Sequence, residues 1–193
     1  VITDSYDKNI LVPFGEPWPL IGTLPGLYRQ VFSLLQVGML QNTVAGTEQP
    51  ALQVQAAEPF RIGVYICYES AFPVAASAAV RAGAQVLVTI TNDAWFARGN
   101  GARQHFDMGR MRAIETRRFV LRSSLNGITG SVDPNGEVVT ELPRGIAATQ
   151  LAGFTPSDAV TPYVRYGHLL WFVTGGWLLA GLAVRGVRYG FSD

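Results

Sequence analysis

Residues 60–73, FRIGVYICYESAFP, decide how the rest of this chain is read. Phe60–Ile66 is an apolar run of strand length, and it ends on the only cysteine of the sequence, Cys67. Tyr68, Glu69 and the start of a helix follow immediately. A lone thiol at a strand-to-helix elbow, beside a carboxylate, is a candidate nucleophile, because charge or a base nearby favours the reactive thiolate. Read alone, Cys67 is more often a small buried hydrophobe than a catalyst. The functional reading therefore depends on what the remaining residues bring to the same strand ends.

The composition sets broad limits. With 193 residues, 48% hydrophobic and 15% charged, the chain is long and apolar enough for one sizeable core, which argues against disorder. Fifteen basic and fourteen acidic residues leave a net charge of +1, so no overall field points to nucleic acid. One cysteine excludes an internal disulfide and leaves the redox compartment open. The N-terminus shows no basic leader followed by an apolar core. It begins without Met inside a strand-like run, and the chain reads as the C-terminal portion of a longer protein.

On either side of the elbow the pattern alternates strands with helices. Val1–Phe14 reads as a strand, a polar elbow at Asp4–Asn9 that holds Lys8, and a second short apolar run, and the prolines of residues 13–25 predict an extended loop. A short helix is expected over Leu27–Leu40, with Val31, Leu34, Leu35 and Gly38 inward, and a half-exposed strand around Leu52 and Val54. After the elbow, Pro73–Arg81 is Ala-rich and helical with Gly83 placed to end it. Gln85–Thr91 is a continuous apolar run typical of a strand covered on both faces. Asn92–His105 reads as a Gly-rich loop, and Asp107–Arg118 as a helix that turns Met108, Met111, Ala113 and Ile114 toward the core. Phe119–Ser124 is a strand, and Ile128–Leu142 a hairpin turning at Asp133-Pro134-Asn135-Gly136. The sum is a layered α/β domain.

The tail differs. His168–Val184 holds no Asp, Glu, Lys or Arg, and at 1.5 Å per residue its length is about 26 Å, near the thickness of a bilayer's hydrocarbon core. Tyr163, Tyr166, Trp171 and Tyr189 lie near its ends, as interfacial aromatics do. Arg185 and Arg188 after it, against Arg165 before it, favour a cytoplasmic C-terminus. A membrane-spanning helix is expected here, a buried core helix being the alternative.

Three kinds of partner are available to a Cys67 thiol: Lys8, the histidines His105 and His168, and several carboxylates. His168 opens the apolar tail and reads as interfacial. His105 would be needed for a Cys-His pair, but no signature of such enzymes surrounds Cys67. Taken singly, Lys8 is an exposed loop lysine, Glu16 a solvated charge, and Glu69 a helix N-terminal carboxylate that favours the dipole. Their coincidence at strand ends is the signal, since ligand sites form there in layered α/β folds.

Tyr6-Asp7-Lys8, Leu11-Val12-Pro13-Phe14-Gly15-Glu16, Ile66-Cys67-Tyr68-Glu69, Thr91-Asn92-Asp93-Ala94-Trp95-Phe96 and Arg112-Ala113-Ile114-Glu115 occur in this order. Together they resemble the C-terminal part of the bacterial apolipoprotein N-acyltransferases, a membrane-embedded branch of the carbon-nitrogen hydrolase (nitrilase) superfamily. The resemblance runs over nearly the whole chain. It implies part of a nitrilase-like αββα sandwich over residues 1–160, then a transmembrane helix with a short cytoplasmic tail over residues 161–193. It also implies a Glu-Lys-Cys triad in which Cys67 accepts an acyl chain as a thioester and Lys8 stabilises the thiolate and the oxyanion. The backbone N–H after Cys67 would be the second oxyanion donor. The triad glutamate has no match here and is expected upstream.

Glu16, Glu69 and Tyr68 match further functional residues of that family, and Trp95 and Phe96 would line an acyl-chain pocket or serve as plain core aromatics. The implied reaction moves a fatty acyl chain from a membrane phospholipid, by resemblance phosphatidylethanolamine, to the α-amino group of a diacylglyceryl-cysteine apolipoprotein. It would take place on the periplasmic side of the inner membrane, with no cofactor or metal ion. A nitrilase-type amidase that releases the acyl group to water, and a non-catalytic membrane-anchored binding module, are the competing readings.

Overall fold

The computed structural model describes residues 4–13, 15–17, 22–34, 43–48, 50–96 and 99–189, with side chains for all of these except His168, Leu170, Ala183 and residues 185–189. Its centre is a six-stranded sheet in sequential order, β1 (Ala51–Val54), β2 (Phe60–Ile66), β3 (Val86–Asn92), β4 (Val120–Leu125), β5 (Thr129–Val132) and β6 (Val138–Leu142). β2, β3 and β4 run parallel, with Ile66 opposite Ile90 and Ile90 opposite Ser123, while β1, β5 and β6 join antiparallel at the edges. The parallel crossovers are made by α2 (Pro73–Arg81) and α3 (Gly101–Thr116); α1 (Pro25–Leu34) and α4 (Pro162–Tyr189) complete the helices.

α2 has the expected limits because Pro73 opens it, small residues fill it, and Gly83 ends it in the left-handed region at φ 97°. Its alanines permit close docking. A Cβ at Gly63 on β2 would lie 2.8 Å from the Ala79 Cβ, so glycine there is a condition of the contact. Tyr65, Ala75, Ala76, Ala79, Val80, Leu87, Phe106, Ala113 and Val120 form the core between sheet and helices.

The opposite face of the sheet carries no helix among the described residues. Ile90, Leu125 and Val139 on it are more than half exposed. This corrects the reading of β3 as covered on both faces, since only its Val86, Leu87, Thr89 and Thr91 are buried. A cleft of about 680 Å³ borders this face between β4–β6 and residues 145–152, away from Cys67.

Two further expectations are corrected. Residues 4–13 are an irregular segment held by side-chain carboxylates, as the expected polar elbow allows, and the strand expected ahead of it at Val1–Thr3 lies, with Phe14, outside the described residues. α1 buries only Phe32, leaving Val31 and Leu34 exposed, and Leu35 and Gly38 fall outside the described residues. α3 begins at Gly101, inside the expected loop, and it buries His105, Phe106, Gly109, Arg112, Ala113 and Thr116. Met108, Met111 and Ile114 are exposed instead. The helix turns its polar side chains inward because each finds partners there.

α4 starts six residues before the apolar run. Thr161 caps it, accepting a hydrogen bond from the Val164 N–H and donating to the Glu115 carbonyl, and Arg81 donates to the Val164 carbonyl. Val164 is buried against the core, whereas Trp171, Phe172, Trp177, Leu178 and Leu179 project freely. Among the described residues no helix is long and apolar enough to cross a membrane. The side chains of His168, Arg185, Arg188 and Tyr189, which enter the orientation argument, lie outside the described set.

Candidate active site

The C-terminal ends of β2 and β3 face the same side, where layered α/β folds place their sites. At the end of β2 the chain enters a 3-10 turn, Cys67–Ala71, with Cys67 at φ 55°. A non-glycine residue there sits in a sparsely populated region, at a cost of about 1–3 kcal/mol that its surroundings must offset.

Glu69 supplies one of those surroundings. It is fully buried, and its Oε2 accepts the Ile66 N–H at 2.7 Å, reaching back across the turn as the glutamate of a capping box does. Its Oε1 accepts from the Tyr6 hydroxyl at 2.9 Å and from the backbone N–H groups of Asn9 and Ile10 at 2.7 and 3.0 Å. One carboxylate thus ties the residues next to Lys8 to the residue before Cys67. Burial, with the Glu69 charge beside it, pushes the Tyr6 phenol well above its ordinary range, so it remains a donor.

All four partners of Glu69 are donors, and a carboxylate only accepts. Glu69→Gln would set an amide NH2 against at least one of these N–H groups. We expect it to destabilise the fold by about 1–3 kcal/mol, read from the midpoint of urea unfolding. An unchanged midpoint would show that the carboxylate does not hold the two segments together.

Glu16 does for the lysine what Glu69 does for the elbow. Lys8 Nζ donates to both carboxylate oxygens of Glu16, at 2.5 and 2.7 Å, and Glu16 Oε2 also accepts the Val12 N–H at 2.7 Å. The Lys8 side chain is only 9% exposed. Glu16 and Cys67 line one cavity of about 360 Å³, whose remaining wall is mostly apolar and includes Val12, Ala71, Trp95, Phe96 and Met108. Tyr68 also lines it and packs edge-on against Phe72. Trp95 is 80% exposed at this cavity and so is no core aromatic. Cys67 itself is partly accessible and unpaired.

His105 is not a base for the thiol. Its Nε2 lies 3.0 Å from the Cys67 carbonyl oxygen and 2.9 Å from Ser70 Oγ, and its Nδ1 lies 2.8 Å from Asp93 Oδ1. Arg122 Nη2 donates to Asp93 Oδ2 at 2.8 Å. Burial alone would raise the Asp93 carboxyl, but the hydrogen bond to His105 and the Arg122 charge outweigh it and hold the group well below the usual carboxylate range. Sequence reasoning missed Asp93 and Arg122 as members of this cluster. The available signal was an arginine in the middle of an otherwise strand-forming run, FVLRSSL. Among the described residues no group of three His, Cys, Asp or Glu side chains is placed to hold a metal ion.

The chain is 37% identical over 179 residues to an apolipoprotein N-acyltransferase of Pseudomonas aeruginosa and 38% identical over 180 residues to one of Azotobacter vinelandii, in each case over 93% of this chain and 32% of the relative. It thus spans about a third of the length of the curated relatives it matches. Among solved structures it is similar to a Saccharomyces cerevisiae member of the nitrilase superfamily, with a TM-score of 0.45 and 23% identity over 54% of this chain and 40% of that one. An amidase from Nesterenkonia sp. gives a TM-score of 0.43 and 22% identity over 53% and 40%. The sequence pattern of the carbon-nitrogen hydrolases matches residues 1–160, and the chain belongs to that family.

Proposed function

We propose that this chain is part of an acyltransferase that moves a fatty acyl chain from a membrane phospholipid, by way of a thioester on Cys67, to the N-terminal amino group of a diacylglyceryl-cysteine apolipoprotein. The carrying observation is the mostly apolar cavity that Cys67 lines together with Glu16, the carboxylate that holds Lys8. It suits an alkyl chain at the thiol better than a small polar amide. The names of the relatives support the same reading.

In the first half-reaction the Cys67 thiolate attacks the ester carbonyl of the donor, phosphatidylethanolamine. The negative charge passes to the carbonyl oxygen, where the Lys8 ammonium and the Tyr68 N–H receive it. Collapse expels the lysophospholipid oxygen, which takes up a proton, and leaves the thioester. In the second half-reaction the lipoprotein amine attacks that thioester, loses its proton to a base, and displaces the thiolate. The base is a glutamate contributed from outside this chain. Glu16 orients Lys8, and Glu69 holds the Lys8 segment against the elbow.

Residues 1–160 form the catalytic part, and the helix-free, apolar sheet face is where the second layer of an αββα sandwich packs. From residue 161 onward α4 is the membrane anchor. Its exposed Trp171, Phe172, Trp177 and Leu178 carry apolar surface whose removal from water yields about 25 cal/mol per Å². In this reading the catalytic part, joined to α4 through the docked Thr161 and Val164, stands on the periplasmic side of the inner membrane.

The test uses vesicles that contain the protein and acyl-labelled phosphatidylethanolamine. Label is expected first on Cys67 and then, on adding a diacylated lipopeptide, on its amine. Label that appears only as free fatty acid would identify a hydrolase, and label that never reaches Cys67 would refute covalent catalysis.

A further inference from the structure

Behind the nucleophile lies a buried cluster that the proposed reaction leaves unused. Asp93 follows β3, His105 is on α3 and Arg122 on β4, and all three are at most 5% exposed. Asp93 is further held by the hydroxyls of Thr91 and Ser124 at 3.0 and 3.2 Å. Arg122 Nη2 lies 3.0 Å from His105 Nδ1, and Arg122 Nε donates to the Ile128 carbonyl at 3.2 Å. Nδ1 carries one hydrogen-bonding position, which either donates to Asp93 or accepts from Arg122, and in either case the imidazole is fixed on that side by the Asp93–Arg122 pair.

Its other side meets the elbow. A carbonyl oxygen only accepts, so His105 Nε2 is the donor to the Cys67 oxygen at 3.0 Å, and Ser70 Oγ donates to the same oxygen at 3.0 Å. This oxygen and the Tyr68 N–H belong to one planar trans peptide and point in opposite directions. Two donors holding the oxygen therefore also aim the N–H. Tyr68 is the second residue of the 3-10 turn that Cys67 opens, where an N–H has no intrahelical acceptor. The left-handed φ of Cys67 would otherwise leave this peptide free to rotate toward a common conformation.

We propose that His105, set by Asp93 and Arg122, is a positioning residue that aims the Tyr68 N–H at the carbonyl oxygen of the group Cys67 attacks. The inference rests on Cys67 as nucleophile, and it holds for any acyl donor. His105 also lies on the wall of the Cys67 cavity, but its ring nitrogens are engaged by Asp93, Arg122, Ser70 and the Cys67 carbonyl and not by the thiol, so it acts on the reaction through the peptide.

The test separates two reactions of the same thiol in the protein carrying this chain. Acylation by p-nitrophenyl hexanoate builds an oxyanion, whereas alkylation by iodoacetamide builds none. His105→Leu and His105→Asn are expected to slow acylation about 10²-fold, the scale of losing one oxyanion donor, with alkylation within about threefold of wild type. His105→Gln carries an amide N–H at the position of Nε2, and is expected to recover acylation to within about tenfold of wild type; Asn reaches only the Nδ1 position. Acylation at the wild-type rate in His105→Leu would overturn the proposal, as would acylation and alkylation falling together in all three variants. A wild-type Cys67 that is alkylated but never acylated would instead refute the nucleophile reading itself.

Discussion

Lys8→Ala is expected to lower thioester formation on Cys67 by at least about 10³-fold, because in the proposed reaction one substitution removes both the charge that favours the thiolate and a donor to the oxyanion. The arrangement of Lys8 makes this a strong expectation. An ammonium has three donors, and Glu16 takes two of them, which fixes Nζ and leaves the third for the reacting atoms. Lys8→Arg is not expected to rescue activity, since a guanidinium would engage both Glu16 oxygens with its own fork and place its charge elsewhere. Cys67→Ala should abolish the adduct while changing stability by no more than about 1 kcal/mol, since alanine meets the same left-handed φ and only a partly exposed thiol is lost. Intact-mass detection of the acyl adduct, with urea unfolding as the folding control, reads both effects. A Lys8→Ala protein that forms the thioester within tenfold of the wild-type rate would exclude the assigned role.

What the sequence discloses about this fold follows from where local chemistry and tertiary structure agree. β2 and its elbow are legible because an apolar run stops at a thiol. α2 is legible because proline, an alanine run and a terminal glycine all favour one helix. The β5–β6 turn is legible because Asp133 Oδ1 accepts the N–H groups of Asn135 and Glu137 while Gly136 adopts φ 86°.

α3 fails the same reading for a specific reason. Hydrophobic periodicity assumes that the buried face is the apolar one, but here that face holds His105 and Arg112. Arg112 Nη1 donates to the Ala71 carbonyl at the end of the elbow. Polar side chains committed to supporting a site invert the pattern, and nothing local to residues 101–116 reveals it. For the same reason the separate roles of Glu16 and Glu69 become distinct only once the donors facing each are known. In the described part of the N-terminal segment, Asn9, Ile10 and Val12 give their N–H groups to the Glu69 and Glu16 carboxylates, partners that lie far off or are not apolar and so leave no local pattern.

Arg122→Met carries the largest expected cost in stability, about 3–5 kcal/mol at neutral pH, because it leaves the fully buried Asp93 carboxylate without its cation while the methionine keeps the volume of the arginine stem. The pH dependence of this loss identifies its origin. In the wild type the Asp93 carboxyl is held below its ordinary value of 3.8, so its contribution is fully present above about pH 4 and is lost as pH falls through the depressed folded value. In Arg122→Met the carboxyl moves back up, because burial, which favours the neutral acid, is no longer outweighed. The difference in unfolding free energy between the two proteins should therefore be widest from about pH 5 upward and narrow below pH 4. Other carboxylates titrate alike in both proteins and cancel in that difference. A penalty below about 1 kcal/mol, or one that does not narrow in acid, would mean that the ion pair is not what Arg122 contributes. Since the same guanidinium helps to set His105, the variant should also show slower acylation at a pH where it remains folded, joining the stability of the cluster to the geometry of the nucleophile.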